Sequence, residues 1–449
     1  MPISKNALHV RVFAALALLM TLAALLPVAM PAADAGRLAG QPVAVYRERR
    51  QKLLEQVKDG VIVLVGAREE DFGEVGRFRQ KNDFMYLTGV TTPAAYLMLV
   101  PAGLAQNKEA QEVIFIPPRN PHQERWTGIQ LGPGEEAARK FGAQEVASAQ
   151  TFQDRLRELL AAAKAPVKIY TVIPRGPAAA MTREHLFIES LKKLAPAAPI
   201  EDVSRYVHQM RLVKSAAEIE LLQKAIDITV EAHRDTALAI KPGVYEYQVQ
   251  AALEYAFARN GAERPGFPSI VGSGLYSTIL HYNENRKQIE AGDLIVVDIG
   301  AEYSYYTADI TRTYPATGKF TPRQRAIYQL VLDAQRAAEK AFKPGQSSIG
   351  DLQRAATEVM RASPLRDQEG KTLEKYFIHG LGHWLGMDVH DVGSYGKIPT
   401  GAVFTIEPGI YIPDEKLGVR IEDDYLATET GLVKMSGKLA SDPDEIERM

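Results

Sequence analysis

Cysteine is absent from the 449 residues, which excludes a disulfide framework, a thiolate metal site and a lipid-attachable cysteine, and is compatible with an oxidising compartment. An excess of one charge is missing too: 53 Lys and Arg stand against 55 Asp and Glu, a formal net charge of −2 with no long basic or acidic run. Nucleic-acid binding, which needs a clustered cationic face, therefore finds no support. Tryptophan is limited to Trp126 and Trp384. The near-average apolar and charged content of such a length describes a globular protein of two or more domains, with room for a large core.

Long hydrophobic runs are scarce, with one exception at the start. Lys5 and Arg11 precede "VFAALALLMTLAALLPVAM", and "PAADAG" then offers an Ala33-x-Ala35 cleavage site. This basic, apolar, small-residue order predicts a signal peptide over 1–35, cleaved on export to the periplasm or the exterior and leaving no stable membrane insertion. A retained anchor helix is the competing reading, because the run is nearly long enough to span a bilayer.

Beyond it, "GVIVLVGA" (60–67), "AAYLMLVPAG" (94–103), "EVIFIPPR" (112–119) and "VKIYTVI" (167–173) read as buried strands. "GEEAARKFGA" and "TFQDRLRELLAAAK" read as helices between them. This predicts an α/β domain over 36–200. "MRLVKSAAEIELLQKA" opens a long helix, with Ser215 and Glu218 in the spacing of a capping box, and a second, α+β domain is expected over 201–449. That domain looks duplicated. Helix, Lys-Pro-Gly, helix, His-bearing segment and hairpin occur in this order twice, with the Lys-Pro-Gly at 241–243 and 343–345.

The stretch "HGLGHWLGMDVHDVG" spaces His379, His383 and His390 four and seven residues apart, among glycines that argue against a regular helix. Alone it leaves metal binding and simple packing open. Carboxylates come from the two hairpins. Asp298 and Asp309 flank a turn expected near Tyr303 and Ser304, which would set them directly opposite each other; Glu407 and Glu422 are centred on the turn-forming "PDEK" of 413–416. Salt bridges to Arg312, Arg420 or Lys416 are the structural alternative, but four converging acids exceed what one or two arginines can compensate. Two divalent cations would neutralise them. Four oxygen donors and one imidazole favour Mn²⁺, with Co²⁺, Zn²⁺ or Fe²⁺ possible, and such a pair acidifies water and polarises a carbonyl.

The blocks "VDIGAEYSYYTADITRT", "HGLGHWLGMDVHDVG", "TIEPGIYI" and "VRIEDDY" resemble the metal-ligand segments of the pita-bread metallopeptidases, above all the aminopeptidase P (Xaa-Pro aminopeptidase) family. "FRQKNDFMYLTG" resembles that family's N-terminal domain and "MRLVKSAAEIELLQKA" its interdomain segment. The resemblance implies that Asp298 chelates one metal, that His383 and Glu407 bind the other, and that Asp309 and Glu422 bridge both. It implies that Glu407 also handles the proton of a metal-bridging hydroxide. His281 and His390 would contact the substrate and stabilise the tetrahedral intermediate, His379 would line the proline pocket, and Arg420 would stand beside it or hold Glu422 in place. Trp126, in "HQERWTG", would wall the active site, sometimes across a subunit interface, or else pack in the core.

The implied activity is release of the N-terminal residue from peptides with proline second, by a homodimer or homotetramer. A bond before proline lacks the N–H that ordinary proteases engage, so a dedicated pocket is required. Prolidase on the same metal cluster is the alternative. Methionine aminopeptidase resembles only the C-terminal half, and a binding module without catalysis would lack the ligands present here.

Overall fold

The apolar runs of the first 200 residues become strands because each is short, β-branched and bounded by turn residues. In the computed structural model, which describes residues 36–72, 77–106, 108–163, 167–174 and 182–449, α1 (Val43–Gln56) leads to β1 (Gly60–Val65), α2 (Asn82–Thr88), β2 (Tyr96–Val100) and β3 (Gln111–Ile116). There follow α3 (Glu135–Phe141), β4 (Glu145–Ser148), α4 (Phe152–Ala162), β5 (Lys168–Thr171), α5 (Arg183–Leu194) and β6 (Ile200–Asp202). The expected signal segment, with its Ala33-x-Ala35 site, lies outside the described residues. Leu38–Met449 forms one compact unit.

The six strands make one mixed sheet in the order β4-β3-β2-β1-β5-β6. Here β2 runs antiparallel to both neighbours and the other pairings are parallel. Both faces are covered, so β1 is buried at all six positions. Phe152 and Leu156 of α4 and Phe187 and Leu191 of α5 close one face, with Phe152 stacked on Tyr96 at 4.4 Å between centroids.

After α6 (Ser204–Leu212), α7 (Ala216–Ala239) starts at the anticipated capping box, with the Ser215 amide donating to Glu218 Oε2 at 2.9 Å. Next come α8 (Glu246–Arg259), β7 (Ile270–Ser273), β8 (Leu294–Ile299) and β9 (Ile310–Pro315). The second half repeats the order with α9 (Pro322–Ala341), α10 (Ile349–Ala362), β10 (Val403–Ile406), β11 (Gly409–Ile412), β12 (Leu417–Arg420) and β13 (Asp423–Ala427). Each first helix stops at its Lys-Pro-Gly because proline cannot continue it, and Gly243 and Gly345 then turn the chain at φ +89° and +66°. The halves meet where the Glu422 amide donates to the Thr311 carbonyl at 3.1 Å.

One expected register is corrected. Asp298 pairs with Thr311 across β8 and β9, and Ile299 with Ile310, so Asp309 lies two positions along from Asp298 instead of opposite it. The tight turn is Ser304-Tyr305, both at positive φ (49° and 73°), one residue later than the sequence suggests. A one-residue displacement of the turn centre moves the partner by two, which keeps both aspartates on one face. The second hairpin has the expected register: Gly409 pairs with Arg420 and Ile406 with Asp423, both centred on the 413–416 turn, where Lys416 adopts φ 49°.

Candidate metal centre and active site

Strand alternation delivers the acids. Asp298 is the penultimate residue of β8, Asp309 precedes β9 with its side chain on the same face, and Glu407 and Glu422 lie just beyond β10 and β12. The glycine-rich 379–393 segment crosses them as irregular chain without a helix. Gly382 allows the passage, since a Cβ there would lie 2.0 Å from the Thr405 carbonyl.

Nine of the ten residues singled out from the sequence line one cavity of about 260 Å³: His281, Asp298, Asp309, His379, His383, His390, Glu407, Arg420 and Glu422. The tenth, Trp126, does not. Its side chain is 83% exposed, so core packing is corrected as well as a place in this chain's own cavity.

Donor atoms of Asp309, His383 and Glu422 lie within 4.8 Å of one another. His383 Nε2 is 3.3 Å from Asp309 Oδ2 and 3.3 Å from Glu407 Oε1, while its Nδ1 lies 3.1 Å from the Trp384 carbonyl. That carbonyl can only accept, which assigns the proton to Nδ1 and turns the Nε2 lone pair toward the two carboxylates. Burial, with His390 beside it, lowers the His383 pKa to about 4, so protonation does not relieve the opposition at neutral pH. One oxygen each of Asp298, Asp309 and Glu422 is buried without a hydrogen-bond partner. Burial, then the surrounding acids, raises Asp309 and Glu422 well above the carboxylate range, and burial raises Glu407 to about 8. Cations would complete every one of these groups, so the residues fit divalent metal ions.

The expected salt-bridge alternatives sort cleanly. Arg420 Nη2 donates to Asp298 Oδ2 at 2.7 Å, and not to Glu422 as one sequence reading had it. Its Nε reaches Thr311 Oγ1 at 3.1 Å, and that hydroxyl donates to Glu422 Oε2 at 2.7 Å, so Arg420 steadies Glu422 only through threonine. Arg312 is committed to Asp423 at 2.7 Å. His379 is spent as well: Nδ1 donates to the Gly380 carbonyl and Nε2 accepts from Tyr411 Oη, each at 2.8 Å, leaving neither nitrogen for a metal. Tyr411 also accepts from Arg420 Nη1 at 3.0 Å.

Thr311, Thr405 and Tyr411 were not singled out from the sequence. Thr405 Oγ1 donates to Glu407 Oε1 at 3.3 Å and accepts from the His383 amide at 3.1 Å. All three sit two or four residues from a predicted ligand, and the period-2 rule for strand faces was the signal that pointed to them.

The profile of metallopeptidase family M24 matches residues 220–429, and that of the aminopeptidase P N-terminal domain matches 46–170. The chain is 34% identical over 435 residues to the Xaa-Pro aminopeptidase of Escherichia coli K12, covering 90% of this chain and 97% of that one. The chain belongs to the aminopeptidase P family. Among solved structures of the family, proline aminopeptidase P II from Yersinia pestis superposes with a TM-score of 0.81 at 33% identity, covering 91% of this chain and 99% of that one. Zinc-substituted Escherichia coli aminopeptidase P in complex with product gives 0.81 at 31% identity, covering 91% and 98%. Membership makes the protein a metal-dependent hydrolase using divalent ions. No helix among the described residues is long and apolar enough to cross a membrane.

Proposed function

We propose that the protein is an Xaa-Pro aminopeptidase, hydrolysing the bond before proline to release one N-terminal residue. The observation that carries this is the convergence of four carboxylates and His383, with the unpartnered oxygens of Asp298, Asp309 and Glu422, on the cavity that His281, His379 and His390 also line. Asp298, Asp309, His383, Glu407 and Glu422 would hold two divalent ions. When bound, such ions neutralise the acids, acidify water and polarise a carbonyl. Glu407 takes up the proton of the attacking water and returns it to the leaving imide nitrogen. His281 and His390 donate toward the oxygen on which charge develops. His379, locked by Tyr411 and Gly380, presents a rigid ring face to the proline side.

Mn²⁺ is the proposed native ion, on the strength of a donor set of four carboxylates and one imidazole. We also propose assembly as a homodimer or homotetramer; Trp126 and Ile129, 83% and 84% exposed, are apolar groups of the kind such contacts cover. Export through a cleaved signal over 1–35 rests on the order of basic, apolar and small residues there.

The test compares an Xaa-Pro-Xaa tripeptide, an Xaa-Pro dipeptide and a Met-Ala tripeptide on Mn²⁺-loaded protein, with products identified by mass. Loss of only the first residue from the proline tripeptide, faster than dipeptide cleavage, supports the proposal. Preference for the dipeptide would make the protein a prolidase.

A further inference from the structure

His390 reaches the cavity on Met387–Asp391, a segment of bends without regular secondary structure. Charged side chains from elsewhere in the chain hold it. Arg211, at the end of α6 and 3% exposed, donates from Nη2 to Asp388 Oδ2 at 2.7 Å and to Asp391 Oδ1 at 2.6 Å. Its Nη1 donates to Asp83 Oδ1 on α2 at 2.7 Å. One guanidinium thus grips the chain on both sides of His390 and ties it to the N-terminal half. Lys214 Nζ takes the other oxygen of Asp391 at 3.1 Å.

The grip extends to His383. The Asp391 amide donates to the Trp384 carbonyl at 2.8 Å, the same oxygen that fixes the His383 ring. A Cβ on Gly386 would lie 2.1 Å from Asp391 Oδ2, so only glycine lets the chain pass this close to the carboxylate. Farther back, the Met387 carbonyl accepts from Arg79 Nη2 and Asn82 Nδ2, each at 3.2 Å. The "FRQKNDFMYLTG" and "MRLVKS" blocks therefore converge on the histidine segment. A buried ion cluster adds little net stability compared with apolar packing, and its best-attested use is to fix one arrangement among several.

We infer that Arg211 is a positioning residue acting through His390: it converts the docking of α2 into a fixed placement of the His390 imidazole, with Lys214 and Asp391 as a second fastener. The inference rests on the proposed function only in that His390 meets the substrate.

The test is a double-mutant cycle of Arg211→Met and His390→Ala, with kcat and KM on the proline tripeptide, metal content, and His390 ring resonances in the zinc-loaded protein. Arg211→Met should lower kcat on the order of 10- to 100-fold with little change in KM, keep both ions, and shift the His390 resonances. In the His390→Ala background the same change should cost less than about twofold. Fully multiplying effects, or an unchanged kcat in folded Arg211→Met protein, overturn the inference. Should Arg211→Met fail to fold, Asp388→Ala carries the same cycle, since that side chain is 46% exposed and its removal deletes a single Arg211 contact. If the wild type leaves proline peptides uncut, or His390→Ala is fully active, the proposed function falls instead. The resonances then decide alone, and a His390 signal indifferent to Arg211→Met overturns the positioning role.

Discussion

Arg420 and Asp298, 122 positions apart, are joined at 2.7 Å, so a strand of the second half holds an acid of the first in place for the metal centre. The pair leaves Asp298 Oδ1 buried and unpartnered, which is the oxygen available to an ion. A guanidinium can serve Asp298, Tyr411 and Thr311 at once because its donors form a rigid fork; an ammonium cannot.

Arg420→Lys should therefore retain the positive charge and lose the geometry. Kinetics and metal analysis on the purified variant should show two ions still bound and kcat/KM lowered about 10- to 100-fold. Unchanged kcat/KM would remove Arg420 from the site's framework.

How much of this site was legible depended on turn chemistry. The "PDEK" turn announces itself with proline and acids, and the register of Glu407 against Glu422 follows from it. "EYSYYT" contains no Gly, Asn or Pro, yet Ser304 and Tyr305 occupy the left-handed positions, which is why the Asp298 and Asp309 register came out shifted. Strands β4 and β6 are four and three residues long and polar, "EVAS" and "IED", so neither apolar run nor alternation marks them. The Arg420 to Asp298 contact crosses the two halves, and no local pattern encodes it. Thr311 and Tyr411 were readable by strand period from Asp309 and Glu407.

Among the described residues Glu407 forms no ion pair with an arginine, and its side chain accepts a hydrogen bond from Thr405. Glu407→Gln removes a charge from a cluster of like charges without emptying volume, so the fold should survive. Turnover should fall on the order of 10²- to 10⁴-fold while the tripeptide still binds, as checked by steady-state kinetics beside calorimetric titration. A variant that turns over near the wild-type rate with both ions bound would take the proton-handling role away from Glu407.

Trp126 stands in solvent on a short helical turn, three residues from exposed Ile129 and outside the core that its size would favour. Sedimentation of the wild type should reveal a dimer or tetramer, and Trp126→Ala should shift the distribution toward smaller species with a lower kcat/KM. A wild-type monomer whose activity is indifferent to Trp126→Ala would leave the tryptophan without a part in catalysis.

Asp309, Glu407 and Glu422 also make opposite demands on pH with and without metal. In the metal-free protein, burial carries the Glu407 pKa from its ordinary 4.5 to about 8, and Asp309 and Glu422 are raised too. The folded chain then binds more protons than the unfolded chain across this window. The stability contributed is fully present below the unfolded pKa and is lost as pH rises through the folded one. Ions reverse the sign, because they bind ionised carboxylates and displace the protons, so their hold strengthens with rising pH. The chelated protein should accordingly show a Tm that falls between about pH 5 and pH 8, and the Mn²⁺-saturated protein a gap above it that widens over the same range. Titration elsewhere in the chain is common to both curves and cancels in their difference, which isolates this site. Parallel curves would mean that the ions bind away from Asp309, Glu407 and Glu422.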